Sequence, residues 1–470
     1  MTGKSVLILL GIVLIGLLIR IYRIQSLPMY GDELTMVYDT YSILKTGKDA
    51  TGQAFPLTFK MGAGRPGGYI YASIPFVYLF GPTQWGVRSV SLLSSVGIML
   101  LMYLLARKLL SEKAGLVAGF LTAISLWDIY LARGGFEAHF ALFLALSGIV
   151  LFLYGKFIPW AITWGLAVFT YPTFKLTLPL MFLIIIWYSG IKKVIKNKIF
   201  IASLVILALF GGLAIKESFA GLSEQRFLSQ NIFVDKNLKE SIIQRVNYER
   251  TASSLPDAFK PVFINRGIEY FRIALENYTD NISPNFLILR GDGNPRHNPG
   301  EMGMIYLIDL PLVLIALAFL YQNKRKEFIL LLAWILITPL ATMFFPEAHA
   351  LRNGLMLPPL ILLSAFALTK IPKRMAYVAV FLMAIQFLYV LLRIYTIAPV
   401  KFASFWSAEA KAASERAIED SKAGKPVVLS TKIDNIEYAY EVYAKVDPNL
   451  VINQYGRYPK NYGKVMISYN

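Results

Sequence analysis

The sequence predicts an all-α polytopic membrane protein with a small α/β module at its C-terminal end. Three observations lead there. Apolar residues make up 56% of the 470 residues and charged ones only 16%, and mean hydropathy is +0.53, a balance foreign to soluble domains. Apolar runs of about 17–20 residues recur along the chain, the length a helix needs to cross a bilayer. Lysines and arginines fall between these runs on alternate connections rather than along one soluble face. Lipid offers no partner to a backbone N–H or C=O, so each run satisfies its own polar groups as a helix.

The first run, about 5–22, follows Lys4 and is flanked at its exit by Arg20 and Arg23. No small-x-small cleavage pattern follows, so it reads as a retained span rather than a secretory signal. Met29-Tyr30-Gly31-Asp32-Glu33-Leu34 then opens an amphipathic helix reaching about Lys45 and stopped by Gly47. Residues 66–81 are apolar but short and broken by Pro75, as expected of an interfacial helix in the first outer loop. Ten more runs follow, at about 86–105, 114–131, 138–154, 158–171, 175–189, 199–215, 304–321, 328–345, 354–369 and 375–393. That makes eleven spans. In the tail, 401–423 patterns as a helix ended by Gly424, and 425–430 and 465–469 read as strands. The division expected is a membrane domain over 1–393 and an α/β module over 394–470.

With eleven spans, one side receives Lys4, then Arg107, Lys108 and Lys113, then Lys156, then the lysines of 192–198, then 324–326, then Lys370, Lys373 and Arg374. Only Glu112 and Glu327 are acidic there. The positive-inside rule makes that side cytoplasmic, with the N-terminus. The long segments 23–85, 216–303 and 394–470 and all three histidines fall outside, placing function and the C-terminal module on the outer face of the cytoplasmic membrane. A net charge of +18 therefore reports topology, and no nucleic-acid partner is expected. Zero cysteines exclude disulfides, thiol catalysis and cysteine metal sites.

Four outer constellations carry reactive residue types. Asp32 and Glu33, followed by the turn Gly62-Ala63-Gly64-Arg65-Pro66-Gly67-Gly68-Tyr69 and the re-entry at Arg88, frame a pocket at the bilayer surface. Acids also simply suit a helix start, and Arg88 suits a snorkelling anchor. Arg133-Gly134-Gly135-Phe136-Glu137-Ala138-His139 joins two spans and places ionisable groups near headgroup depth, where they are expensive; Glu137 also suits a helix start. Lys175 stands on an outer connection, against the topological trend, as a phosphate ligand or a snorkelling lysine. His349 and Arg352 share a helix face at three-residue spacing.

Taken in order along about residues 5–393, these motifs resemble the GT-C superfamily of membrane glycosyltransferases, in the ArnT/protein O-mannosyltransferase-like branch. Glu137 departs from the aspartate of several relatives, and the tail is too divergent to assign. The resemblance implies a GT-C fold and a polyprenyl-phosphate sugar as donor. It also implies a lipid, glycan or protein hydroxyl as acceptor, and inversion at the anomeric carbon. Asp32 corresponds to the family's base, and a carboxylate can take the acceptor proton as the new bond forms. Glu33 and Glu137 complete the candidate catalytic set. Arg65, Tyr69, Arg88, Arg133, His139, Lys175, His349 and Arg352 are the candidate substrate-binding residues, with Lys175 and Arg352 on the leaving phosphate. There is no DxD motif, so no metal is required, although the Asp32/Glu33 pair leaves room for a divalent cation. Competing readings are a transporter or flippase of a lipid-linked anion, and a GT-C glycan polymerase or ligase. A transporter would show repeat symmetry and mid-membrane ionisable groups.

Overall fold

The computed structural model describes residues 3–61, 64–218 and 231–469. A helix occupies each of the eleven apolar runs. Among the described residues, four are long and apolar enough to cross a membrane alone: Gly3–Ile21, Gln84–Leu109, Lys198–Ser218 and Lys373–Lys401. Glu112–Ile124 and Leu126–Ala132, bent by 55°, make a fifth if taken together. Glu137–Leu153, Phe157–Val168, Phe174–Ser189, Asp309–Asn323 and Gly354–Lys370 are apolar but shorter. Helix length therefore supports four or five crossings, and eleven is a reading of the apolar runs in the sequence.

The acid-bearing helix runs from Gly31 to Thr46. Its first turn holds Asp32 and Glu33, where the dipole favours negative charge, and Glu33 reaches back to the Tyr30 N–H as in a capping box. Gly47 ends it in the left-handed region at φ 71°, which glycine enters without steric cost. The helix Gly68–Phe80 continues through Pro75 rather than breaking there. Proline removes one backbone bond, and the buried side chains of Tyr69, Ile70, Ser73 and Val77 hold both halves against the same neighbours. Between the two helices, β1 (Thr58–Phe59) and β2 (Arg65–Pro66) pair antiparallel with Phe59 opposite Arg65. Residues 62–63 of the glycine-rich turn lie outside the described residues.

The tail folds as the helix Ala408–Lys422, strand β3 (Val427–Ser430), short helices Ile436–Tyr443 and Pro448–Asn453, and strands β4 (Lys460–Tyr462) and β5 (Val465–Ser468). The sheet order is β3-β5-β4, with β3 parallel and β4 antiparallel to β5. Two apolar cores result. One fills the helix bundle around Trp127, Trp160, Trp164 and Trp334. The other unites the first outer segment, through Leu34, Val37, Tyr38 and Phe59, with the tail, through Ile436, Val442, Val465 and Ile467. Each such buried side chain contributes about 1.5–3 kcal/mol, so tail and outer segment stabilise one another.

Candidate functional site

Asp32 leaves the acid-bearing helix with its side chain 50% exposed and in an ion pair with Arg65. Arg65 is fully buried. Its guanidinium also donates to the Thr35 hydroxyl at 2.9 Å and to the Asp32 carbonyl at 3.3 Å, and lies 3.5 Å from Glu137. Burial disfavours its charge, but Asp32 and Glu137 beside it outweigh that and hold its pKa above the ordinary arginine value. The ribbon β1–β2 fixes Arg65, and the start of the helix Glu137–Leu153 supplies Glu137. Two carboxylates from separate loops thus converge on one cation, and only Asp32 faces solvent freely. Tyr30 lies within the influence of both acids. Its phenol pKa is raised well above 10, by burial first and then by Asp32, Glu137 and Glu33.

Glu33 points the other way. It is buried, and its two oxygens meet Arg88 at 2.7 and 2.8 Å as a bidentate pair. The Gly135 N–H donates to it at 2.7 Å. Arg88 also donates to the carbonyls of Ile24, Leu27 and Pro28. A cation at the Asp32/Glu33 pair has no converging oxygens, since each acid is already aimed at a different arginine. Tyr69 and Arg133 are likewise turned to structure. The Tyr69 hydroxyl donates to the Val87 carbonyl at 2.7 Å and meets Ser91 at 2.9 Å. Arg133 donates to the carbonyls of Arg20, Tyr22 and Arg23, where the first helix leaves its last carbonyls without helical partners.

His139 is buried against Asp128, with Nε2 2.9 Å from Oδ1. Asp128 takes Arg20 at 2.6 Å on its other oxygen and the Ser95 hydroxyl as well. Sequence reasoning missed Asp128 and read Arg20 as an exit flank. Its signal was there: opposite charges inside the predicted first and third spans, where each needs a partner. Arg20, Ser95, Asp128 and His139 together tie four helices to one another.

A second cluster gathers Asp292, His297 and His349. His297 Nδ1 is 3.0 Å and His349 Nδ1 3.9 Å from Asp292 Oδ2, and the imidazole centroids are 4.6 Å apart. The Ala350 and Asn294 N–H groups donate to the same carboxylate. Although burial works to raise the Asp292 pKa, the hydrogen bond from His297 and the two imidazoles hold it at about 2. His349 is pushed well below 6.5 by burial and then by His297. One oxygen and two ring nitrogens within 4.8 Å of one another could hold a divalent metal. Sequence reasoning did not single out Asp292 and His297: they stand five residues apart on one outer segment, and the third member, His349, lies more than fifty residues on. The Phe136 ring, next to Glu137, meets His297 at 5.7 Å, and Arg296 stacks over Tyr30 at 5.4 Å, so the two clusters adjoin.

Lys175 and Arg352 have separate settings, and Arg352 lies near enough to His349 for its charge to disfavour the protonated imidazole. Lys175 donates to the Ser218 hydroxyl at 2.7 Å, and Arg352 lies over the Phe345 ring at 4.3 Å. Their connection is indirect, through the helix Phe174–Ser189, which packs on the turn Thr338–Ala341 ahead of the Arg352 loop.

A profile of the family described as dolichyl-phosphate-mannose-protein mannosyltransferase matches residues 66–214. A comparison with curated protein sequences gives no match. Among solved structures, ArnT from Cupriavidus metallidurans bound to undecaprenyl phosphate superposes with a TM-score of 0.54 at 12% identity, over 96% of this chain and 89% of that one. The archaeal oligosaccharyltransferase AglB from Archaeoglobus fulgidus, in complex with an inhibitory peptide and a dolichol-phosphate, gives 0.53 at 12% identity over 94% of this chain. The chain spans only 64% of the length of AglB. The same oligosaccharyltransferase complexed with Zn and sulfate gives 0.53 at 14% identity, over 93% of this chain and 61% of that one. Over 94–96% of its length the chain shares the fold of these GT-C glycosyltransferases.

Proposed function

We propose that this protein is an inverting glycosyltransferase that moves a sugar from a polyprenyl-phosphate donor to an acceptor hydroxyl at the outer face of the cytoplasmic membrane, with eleven spans and the tail outside. One observation carries the proposal: the half-exposed Asp32 carboxylate, held by a buried Arg65 that Glu137 shares, inside a GT-C fold. Asp32 accepts the acceptor hydroxyl's proton while that oxygen attacks the anomeric carbon from the face opposite the phosphate. The anomeric C–O bond breaks, and its electron pair leaves on the phosphate, which needs no proton at neutral pH. Arg65 pairs with Asp32 and aims it. Glu137 balances Arg65 and borders the sugar. Lys175 and Arg352, both on outer connections, oppose the charge building on the phosphate. The buried pairs of Glu33 with Arg88 and of His139 with Asp128 support this as positioning groups. The Asp292 cluster is an additional place for a divalent metal.

The test is transfer by the purified protein from synthetic polyprenyl-phosphate sugars, paired with mass spectrometry of outer-surface glycans with and without the gene. Asp32→Asn should fold and lose on the order of 10²-fold or more in rate. Parent-like activity in that variant, or retention of anomeric configuration in the product, would sink the mechanism.

A further inference from the structure

Residues 255–275 present an apolar surface that no described part of the chain covers. Phe259, Val262, Phe263, Ile268, Phe271 and Leu275 are each between 44% and 64% exposed. On the helix Arg266–Asn281, Ile268, Phe271 and Leu275 recur at helical spacing and share one outward stripe. Its inward side is mixed, with Glu269, Ala274 and Asn281 buried, Tyr270 packed on Phe233 and Asn277 bonded to the Met343 carbonyl at 3.1 Å. The helix therefore carries a bulky apolar stripe on its outer side that a water-facing helix would turn inward. Six bulky apolar side chains gathered in 17 residues exceed what an uncommitted surface carries.

We propose that this segment is seated in the lipid leaflet on the side of the candidate site, with the stripe among the upper acyl chains. Continuity with the lipid-exposed bundle surface selects lipid as the occupant. The Tyr278 hydroxyl donates to the Leu336 carbonyl at 2.9 Å, at the end of the apolar helix Arg325–Ile337, and Leu336 is itself exposed. The stripe therefore sits level with the end of a membrane helix. Charged residues border the apolar side chains as ion pairs, Lys260 with Asp257 and Arg272 with Glu269 and Glu276, so the occupant is selected by the apolar stripe and not by net charge. The same helix reaches the second cluster, because Asn281 Oδ1 accepts from the His349 N–H and the Asn353 side chain. A change in the seating of the helix would thus be felt where His349 meets Asp292. None of this depends on the transfer reaction.

The chain contains no cysteine, so single labels can be placed without background. Phe263→Cys and Phe271→Cys, with Ser241→Cys on the charged helix Lys236–Ala252 as the water-facing control, would each carry an environment-sensitive fluorophore. The full-length protein would be held in nanodiscs of zwitterionic and anionic phospholipid, with and without acyl-chain nitroxide lipids. Positions 263 and 271 should emit blue-shifted light and be quenched by the lipid nitroxide at least about twofold more than position 241. Quenching by aqueous iodide at all three positions would overturn the proposal. So would a blue shift without lipid quenching, which would mean that protein covers the stripe. Two independent positions guard against one label disturbing the fold.

Discussion

At the scale of single residues, two neighbouring acids have opposite fates. Asp32 is half exposed and exchangeable, whereas Glu33 is buried on Arg88 and the Gly135 N–H. Asp32→Asn should leave the melting temperature near the parent value while activity falls. Arg88→Ala should instead destabilise by about 3–5 kcal/mol, because it strands a buried carboxylate. Arg88→Lys should restore only part of that, since ammonium cannot reproduce the two-pronged contact. Thermal unfolding in detergent separates the two cases, and an unperturbed Arg88→Ala would show that Glu33 has other support. Asp39 offers a pH test. Burial raises its pKa from 3.8 to about 8, and the Ala50 N–H opposes this only in part. The folded state then holds a proton that the unfolded chain has lost, so stability should fall from about pH 4 to about pH 8, by up to about 1.4 kcal/mol per unit. Asp39→Asn should flatten that slope, and a slope equal to the parent's would assign it elsewhere.

At the scale of elements, the helix Ile436–Tyr443 matters most, because it packs along the acid-bearing helix. Asn435, just before it, lies against Gly31, where a Cβ would come within 2.5 Å of the Asn435 side chain. Gly31→Ala should therefore push the tail from the segment that carries Asp32 and lower both stability and turnover. Deleting 394–470 should expose Leu34, Val37, Tyr38 and Phe59 together. Limited proteolysis should then cut within 23–85, a region that should resist the protease in the full chain. Resistance in the truncated chain would mean that the outer segment folds unaided. The tail's helix and two of its strands were legible beforehand from Gly424 and from the runs 425–430 and 465–469. Strand β4 was not, since Lys460-Asn461-Tyr462 shows no apolar alternation and is strand only through pairing with β5.

For the whole molecule, the charge pattern expects an external tail. A cysteine at position 430, on β3, should react with an impermeant thiol reagent in intact cells. Labelling only after permeabilisation would show an even number of crossings and move the candidate site to the other face. Helix lengths do not decide this, because several apolar helices are shorter than a lone span and would cross only as part of a bundle.

What the sequence determined by itself was local. Apolar runs become helices because lipid leaves the backbone no other partner. The Asp32 helix begins and ends at a dipole-favoured acid pair and a left-handed glycine. The candidate residues of the first two outer constellations could be named because polar groups beside apolar runs are conspicuous. What only the tertiary structure decided was the pairing of those residues. Arg65 rather than Arg88 meets Asp32, His139 turns inward to Asp128, and Asp292 with its neighbour His297 joins His349 from a distant loop. A buried charge must find an opposite charge or a polar partner wherever the chain passes, and separation along the sequence does not constrain which one it finds.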